Sequence, residues 1–105
     1  MPSTLQVIYP VAEGKSFDYD YYLSTHMDIV KEHMSPHYQA AHVTRGLAGG
    51  APGAAPDYFA IATFTCADQD ALQAMIGAAG PAIEDLANFT DCDVQMLVGE
   101  AAFQD

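Results

Sequence analysis

Residues 57–65, DYFAIATFT, put apolar side chains at both parities of what reads as a β-strand. Successive side chains of a strand point to opposite faces of its sheet. Tyr58, Ala60, Ala62 and Phe64 therefore share one face, and Phe59, Ile61 and Thr63 share the other. A strand with one face in water alternates apolar with polar residues. This one does not, so both faces of its sheet need cover. Residues 93–100, DVQMLVGE, repeat the pattern, with Val94, Met96 and Val98 set against Leu97.

The remaining elements follow from periodicity and breakers. TLQVIY, residues 4–9, reads as a first strand ended by Pro10. A first helix opens between Ser16 and Asp18, either of which can cap it, and runs to Met34 before Pro36 stops it. YQAAHVTRGL, residues 38–47, reads as a second strand, although its two alanines also suit an extension of the helix. LAGGAPGAAPD, residues 47–57, is a long loop. A second helix opens at Ala67 or Asp68, breaks at Gly80 and Pro81, and continues as the short piece AIEDLANF. The order is β-α-β-β-α-β. It predicts one α+β domain over residues 1–105, a ferredoxin-like four-stranded antiparallel sheet with two helices on one face. Two helices cover one face only. A second copy packed against the open face is the simplest cover for the other, which predicts a homodimer.

Charge narrows the function. The net charge is −11, with Lys15, Lys31 and Arg45 as the only fixed cations. Nucleic acid and anionic membrane surfaces are repelled by such a chain, so neither is an expected partner. No run of eighteen apolar residues is present to span a bilayer. The stretch MPSTLQVIYP has no basic region leading into a long apolar one, so no secretory signal is expected and the cytoplasm is the default location. Cys66 and Cys92 have neither redox-motif nor zinc spacing and read as reduced, buried thiols.

The first helix carries the unusual residues. At 100° per residue, Tyr19, Tyr22, His26, Ile29, Val30 and His33 fall on one apolar arc with Leu23, Met27 and Met34. Ser24, Asp28 and Tyr21 fall on the wet side. The two histidines are seven residues apart, about 10 Å along the axis at ~1.5 Å per residue. That is too far to share one metal ion, since a zinc pair on a helix needs histidines four apart. One bland account is two core-edge histidines satisfied by neighbouring carbonyls or hydroxyls. The other is a polar-lined pocket between helix and sheet, because four buried polar handles need partners. Histidine transfers protons near neutral pH and tyrosine donates to an oxyanion, so such a pocket suits proton transfer on a phenolic or carbonyl ligand.

Other candidates carry less. His42 and Arg45 have opposite parity on the second strand, and Arg45 reads as half of a structural salt bridge or as an anchor for a carboxylate. His37 reads as an exposed turn residue. Neither a phosphate-binding glycine loop nor a GxSxG elbow is present.

FDYDYYLSTHMDIVKEH, VTRGLAGG, DYFAIATFTCADQDALQAM and IEDLANFTDCDVQMLVGE occur in that order over nearly the whole chain. Together they resemble the EthD family, known from ethyl tert-butyl ether degradation. The most specific parts are Y-x-x-x-H in the first helix and NFTD before the last strand. The resemblance implies a dimeric α+β barrel, two ferredoxin-like sheets face to face, with a ligand pocket between the helices and sheet of each subunit. It implies an association with oxidoreductases and ether breakdown, and similar barrels include cofactor-free monooxygenases, polyketide cyclases, decarboxylases and haem enzymes. The family histidine falls on His26, with Tyr22 one turn before it. Where the family usually has proline two places later, this chain has Asp28. The expectation is a small apolar or aromatic ligand, with His26 and Tyr22 as catalytic residues and His33, Tyr19, Ile29 and Val30 lining the pocket. No cofactor or metal is called for. The alternatives are a non-catalytic binding or accessory protein, and haem held by His33 or His26.

Overall fold

In the computed structural model, which describes residues 1–105, Ser3–Pro10 form β1. Next come α1 (Tyr19–Tyr21), a π-helical stretch (Tyr22–His26), α2 (Met27–Met34), β2 (Ala40–Arg45) and β3 (Tyr58–Cys66). Then follow α3 (Gln69–Gly77), α4 (Gly80–Glu84), a 3₁₀ turn (Asp85–Asn88) and β4 (Gln95–Glu100). The strands are all antiparallel and lie in the order β2-β3-β1-β4, a ferredoxin-like sheet with the helices on one face.

Two β1 neighbours show how the core is built. Leu5, Val7 and Tyr9 point to the helices and pair with Phe64, Ala62 and Ala60 of β3. All six are buried. The alanines opposite Val7 and Tyr9 leave room for Tyr22 and Val30 from the first helix and for Leu72 and Met75 from α3, all in the same core. A fully buried Leu, Met or Phe side chain contributes about 1.5–3 kcal/mol. Asp18 caps α1 by accepting the Tyr21 N–H at 3.1 Å, and Asp68 caps α3 by accepting the Ala71 N–H at 2.9 Å. Gly80 and Pro81 open α4 rather than merely breaking the preceding helix, since a proline in the first turn gives up no helical hydrogen bond.

The first helix is not one α-helix. The Met27 N–H reaches back five residues to the Tyr22 carbonyl, which widens the turn between them. The 100° wheel therefore fails across this stretch. The buried stripe is Tyr22, His26, Val30 and Met34, each four residues apart. In a straight α-helix that spacing drifts by about 40° per step. The wide turn slows the drift and brings Tyr22 back into line. His33, expected on the apolar arc, is exposed with 40% of its side chain accessible, 3.6 Å from Glu32.

The reading of β3 as apolar on both faces survives on the open face only at Ile61. A bulge sets Tyr9 opposite Ala60 but Pro10 opposite Tyr58, so Phe59 has no partner on β1. The bulge re-aims Phe59, whose ring stacks on Phe17 at 5.5 Å. Ile8, Ile61 and Leu97 remain on the open face among threonines and Gln6. On β4, an edge strand, Met96 and Val98 pair with Val7 and Leu5 and so face the helix side, yet both are about half exposed.

Candidate functional site

The π-helical stretch puts Tyr22 and His26 on one wall. Their rings stack at 5.4 Å with an interplanar angle of 18°, and Phe89 closes on His26 at 4.5 Å. Tyr22 is 1% exposed and His26 4%. The segment that carries Phe89 is tied to the start of the first helix. Phe89 O accepts the Asp18 N–H at 2.8 Å, and the Thr90 hydroxyl donates to Ser16 O at 2.7 Å. Asp91 accepts the Ser16 N–H at 2.9 Å. NFTD thus works as a clamp that fixes where the histidine-bearing helix begins.

Burial of His26 is satisfied by a residue the sequence did not point to. The His26 Nδ1 lies 3.0 Å from Asp85 Oδ2, and Asp85 is itself only 6% exposed. The other carboxylate oxygen accepts from the Tyr21 hydroxyl at 2.7 Å and from Asn88 Nδ2 at 2.9 Å. Burial alone pushes the Asp85 carboxyl up, but the hydrogen bonds from Asn88, Tyr21 and His26 hold it below the usual carboxylate value. Burial pulls the His26 imidazole below its usual value against the opposing pull of Asp85. The ring is therefore neutral at pH 7, and an ionised carboxylate at Nδ1 selects the tautomer with the proton there. The Nε2 atom makes no hydrogen bond to the protein and keeps a free lone pair.

A cavity of about 70 Å³, open at one side, runs along this wall between the first helix, α4 and the sheet. Fifteen of its sixteen lining residues are hydrophobic, and the other is His26. Ile83 on α4 and Met96 on β4 also line it, and both are about half exposed, so the rim lies between these two elements. The Tyr22 hydroxyl is buried with no hydrogen-bond partner. Burial pushes its phenol up to about 12 against a smaller opposing pull from the nearby Tyr9 hydroxyl, which does not meet it in hydrogen-bonding geometry, so it remains a donor at any ordinary pH. The residues that carry this basic nitrogen and this unsatisfied donor thus line the same largely apolar cavity.

Of the residues expected from the helix, Tyr22, His26 and Val30 line this cavity. Ile29 is half-buried against the core but does not line it. Tyr19 points elsewhere, its hydroxyl donating to Phe59 O at 2.9 Å beneath Arg45. His33 is on the solvent side. Tyr21, assigned by the wheel to the wet side, instead reaches Asp85. Tyr21, Asp85 and Asn88 had no signal as a set, because Asp85 is 59 residues from His26 in the chain. No three His, Cys, Asp or Glu side chains converge as metal ligands. His33, the other histidine expected at the pocket, does not line this cavity.

The sequence matches the EthD domain over residues 13–93. An EthD-like protein from Ralstonia eutropha JMP134 is 31% identical, with 99% of this chain and 95% of that one covered and a TM-score of 0.86. An ethyl tert-butyl ether degradation family protein from Bacillus halodurans C-125 is 18% identical, covering 95% of this chain and 98% of that one at a TM-score of 0.65. A dimeric ferredoxin-like protein of unknown function from Thermobifida fusca YX is 12% identical, covering 95% and 91% at a TM-score of 0.62. No curated protein matches the sequence.

Proposed function

The chain belongs to the EthD family, and we propose that it transfers a proton on a small apolar or aromatic ligand bearing a carbonyl or phenol, bound between the first helix and the sheet. The observation that carries this reading is His26 on a largely apolar cavity wall, with Nδ1 held by Asp85 at 3.0 Å and Nε2 free of any hydrogen bond to the protein. In this mechanism Nε2 takes a proton from a C–H or O–H of the ligand. The imidazolium that forms is stabilised by the Asp85 carboxylate already hydrogen-bonded to it. Negative charge grows on the ligand oxygen, and the Tyr22 hydroxyl donates to it, gaining the partner it otherwise lacks. Return of the proton from Nε2 to another ligand atom completes the transfer. No oxidant enters this sequence of steps.

The test is hydrogen–deuterium exchange at the α-carbons of cyclohexanone in D2O, followed by proton NMR. The full chain is expected to accelerate exchange, and His26→Gln to lower the rate by about 100-fold or more. Equal exchange by His26→Gln and the parent would overturn the proposal. A second reading, a non-catalytic binding protein, is favoured by how few polar groups line the cavity. It predicts saturable cyclohexanone binding with no exchange above buffer.

The same proposal includes a homodimer through the open sheet face, acting as one cytoplasmic domain. Ile8, Ile61 and Leu97 on that face support the pairing, as does the dimeric state of the Thermobifida fusca protein. Sedimentation of a single-chain mass at micromolar concentration would remove the dimer. The chain has no helix long and apolar enough to cross a membrane.

A further inference from the structure

We propose that Arg45 and the cleft beside it bind the carboxylate of a small aromatic acid, at a site distinct from the His26 cavity. Arg45 is the only arginine in a chain with fourteen acidic residues, yet no carboxylate pairs with it. The expected structural salt bridge is absent, since the only two ion pairs are made by His26 and His33. Instead the guanidinium stacks on the Tyr19 ring, 4.0 Å from its centroid. The Tyr19 hydroxyl is anchored on Phe59 O at 2.9 Å, so the platform beneath the arginine is fixed. Stacking covers one face of the guanidinium and leaves its edge N–H donors available. That edge matches a carboxylate with two parallel hydrogen bonds.

Arg45 also lines a cleft that bulky side chains do not fill. A cleft of about 530 Å³ is lined by Arg45 and by the small residues that follow it, including Gly46, Ala48, Gly49 and Gly50. Added side-chain carbon would not fit at two of them. A Cβ on Gly46 would lie 2.0 Å from Tyr58 O, and one on Gly49 would lie 2.8 Å from Ala55 O. The glycines thus let the two limbs of the loop close on each other while no side chain fills the cleft. The main-chain N–H groups of Leu47, Ala48 and Gly50 donate to no main-chain acceptor. Leu47 and Tyr58 give the cleft an apolar side, which suits an aromatic ring behind the carboxylate. Asp57 also lines it, and its negative charge weakens any bound anion. The cleft and the His26 cavity share no lining residue.

Isothermal titration of the full chain with benzoate, and with benzyl alcohol as its neutral analogue, tests the site. Benzoate is expected to bind saturably and benzyl alcohol at least tenfold more weakly. Arg45→Gln should lose at least tenfold in benzoate affinity, and Arg45→Lys severalfold, because a lysine lacks the fork. Asp57→Asn should tighten benzoate by removing the like charge, and His26→Gln should leave it unchanged. Equal binding of benzoate and benzyl alcohol, or unchanged affinity in Arg45→Gln, would overturn the proposal. So would loss of benzoate binding in His26→Gln, which would locate the anion in the other cavity. Absence of saturable benzoate binding by the parent would overturn it too, and conversion of a dimer to a monomer by Arg45→Gln would then assign Arg45 to an interface.

Discussion

His26 Nδ1 and Asp85 Oδ2 lie 3.0 Å apart, both buried, although 59 residues separate them in the chain. The pair joins the π-helical stretch to the 3₁₀ turn after α4 and orients the imidazole on the wall of a largely apolar cavity. Its other supports, Tyr21 and Asn88, both act on the second carboxylate oxygen.

Asp85→Asn should be the most damaging isosteric change in this network. The amide cannot accept on both oxygens as the carboxylate does, and it leaves the imidazole without its charged partner. Hydrogen bonds to charged groups contribute about 1.5–3 kcal/mol, so the loss in urea unfolding should fall in that range. Tyr21→Phe should have a smaller effect, and the double variant should cost less than the two single costs added, because both touch the same carboxylate. Full additivity would show that the two bonds are independent.

Acidification should destabilise the fold in two steps. His26 in the folded chain titrates below its ordinary 6.5, so between those values the unfolded state binds more protons and stability falls as pH falls. Asp85 titrates below its ordinary 3.8, so its contribution is fully present above that value and is lost as pH drops through the folded value. Urea midpoints measured from pH 8 to pH 3 should show the upper step, and His26→Gln should abolish it. A midpoint that rises between pH 6.5 and pH 5 in the parent, with no such rise in His26→Gln, would reverse the assignment for His26.

Tyr22→Phe should separate stability from function. The hydroxyl is buried without a partner, and an unsatisfied buried polar group costs about 1–3 kcal/mol. Its removal should leave stability unchanged or raise it by about 1 kcal/mol, while ketone exchange falls. Destabilisation by more than about 1 kcal/mol would mean that the hydroxyl has a partner in the ligand-free protein.

His33→Ala should change unfolding free energy by less than about 0.5 kcal/mol, as surface substitutions do, and leave exchange unaltered. The side chain is exposed beside Glu32 and touches no part of the cavity. A loss of activity in this variant would restore His33 to the site.

Element order and the burial of Tyr22, His26 and Val30 were legible in the chain, while the caps were narrowed there only to Ser16 or Asp18 and to Ala67 or Asp68. Each depends on local chemistry or on a repeat within one element, and such signals survive without knowledge of neighbours. The misplacement of His33 and Tyr21 came from assuming a uniform turn. A π-helical stretch forms where tertiary contacts reward it, here the stack of Tyr22 on His26 and the packing of Phe89 against both. The bulge that re-aims Phe59 likewise depends on pairing between β1 and β3.

The sequence by itself determined an α+β sheet with apolar residues on both faces and a helix bearing a buried tyrosine and histidine. Only the tertiary structure decided that Asp85 meets His26, that Arg45 stacks on Tyr19 instead of pairing with an acid, and that the cavity is almost wholly apolar. The physical reason is the same in all three cases. A buried or stacked polar group takes whichever partner the folded chain brings within hydrogen-bond or van der Waals reach, and that partner is rarely a neighbour in sequence.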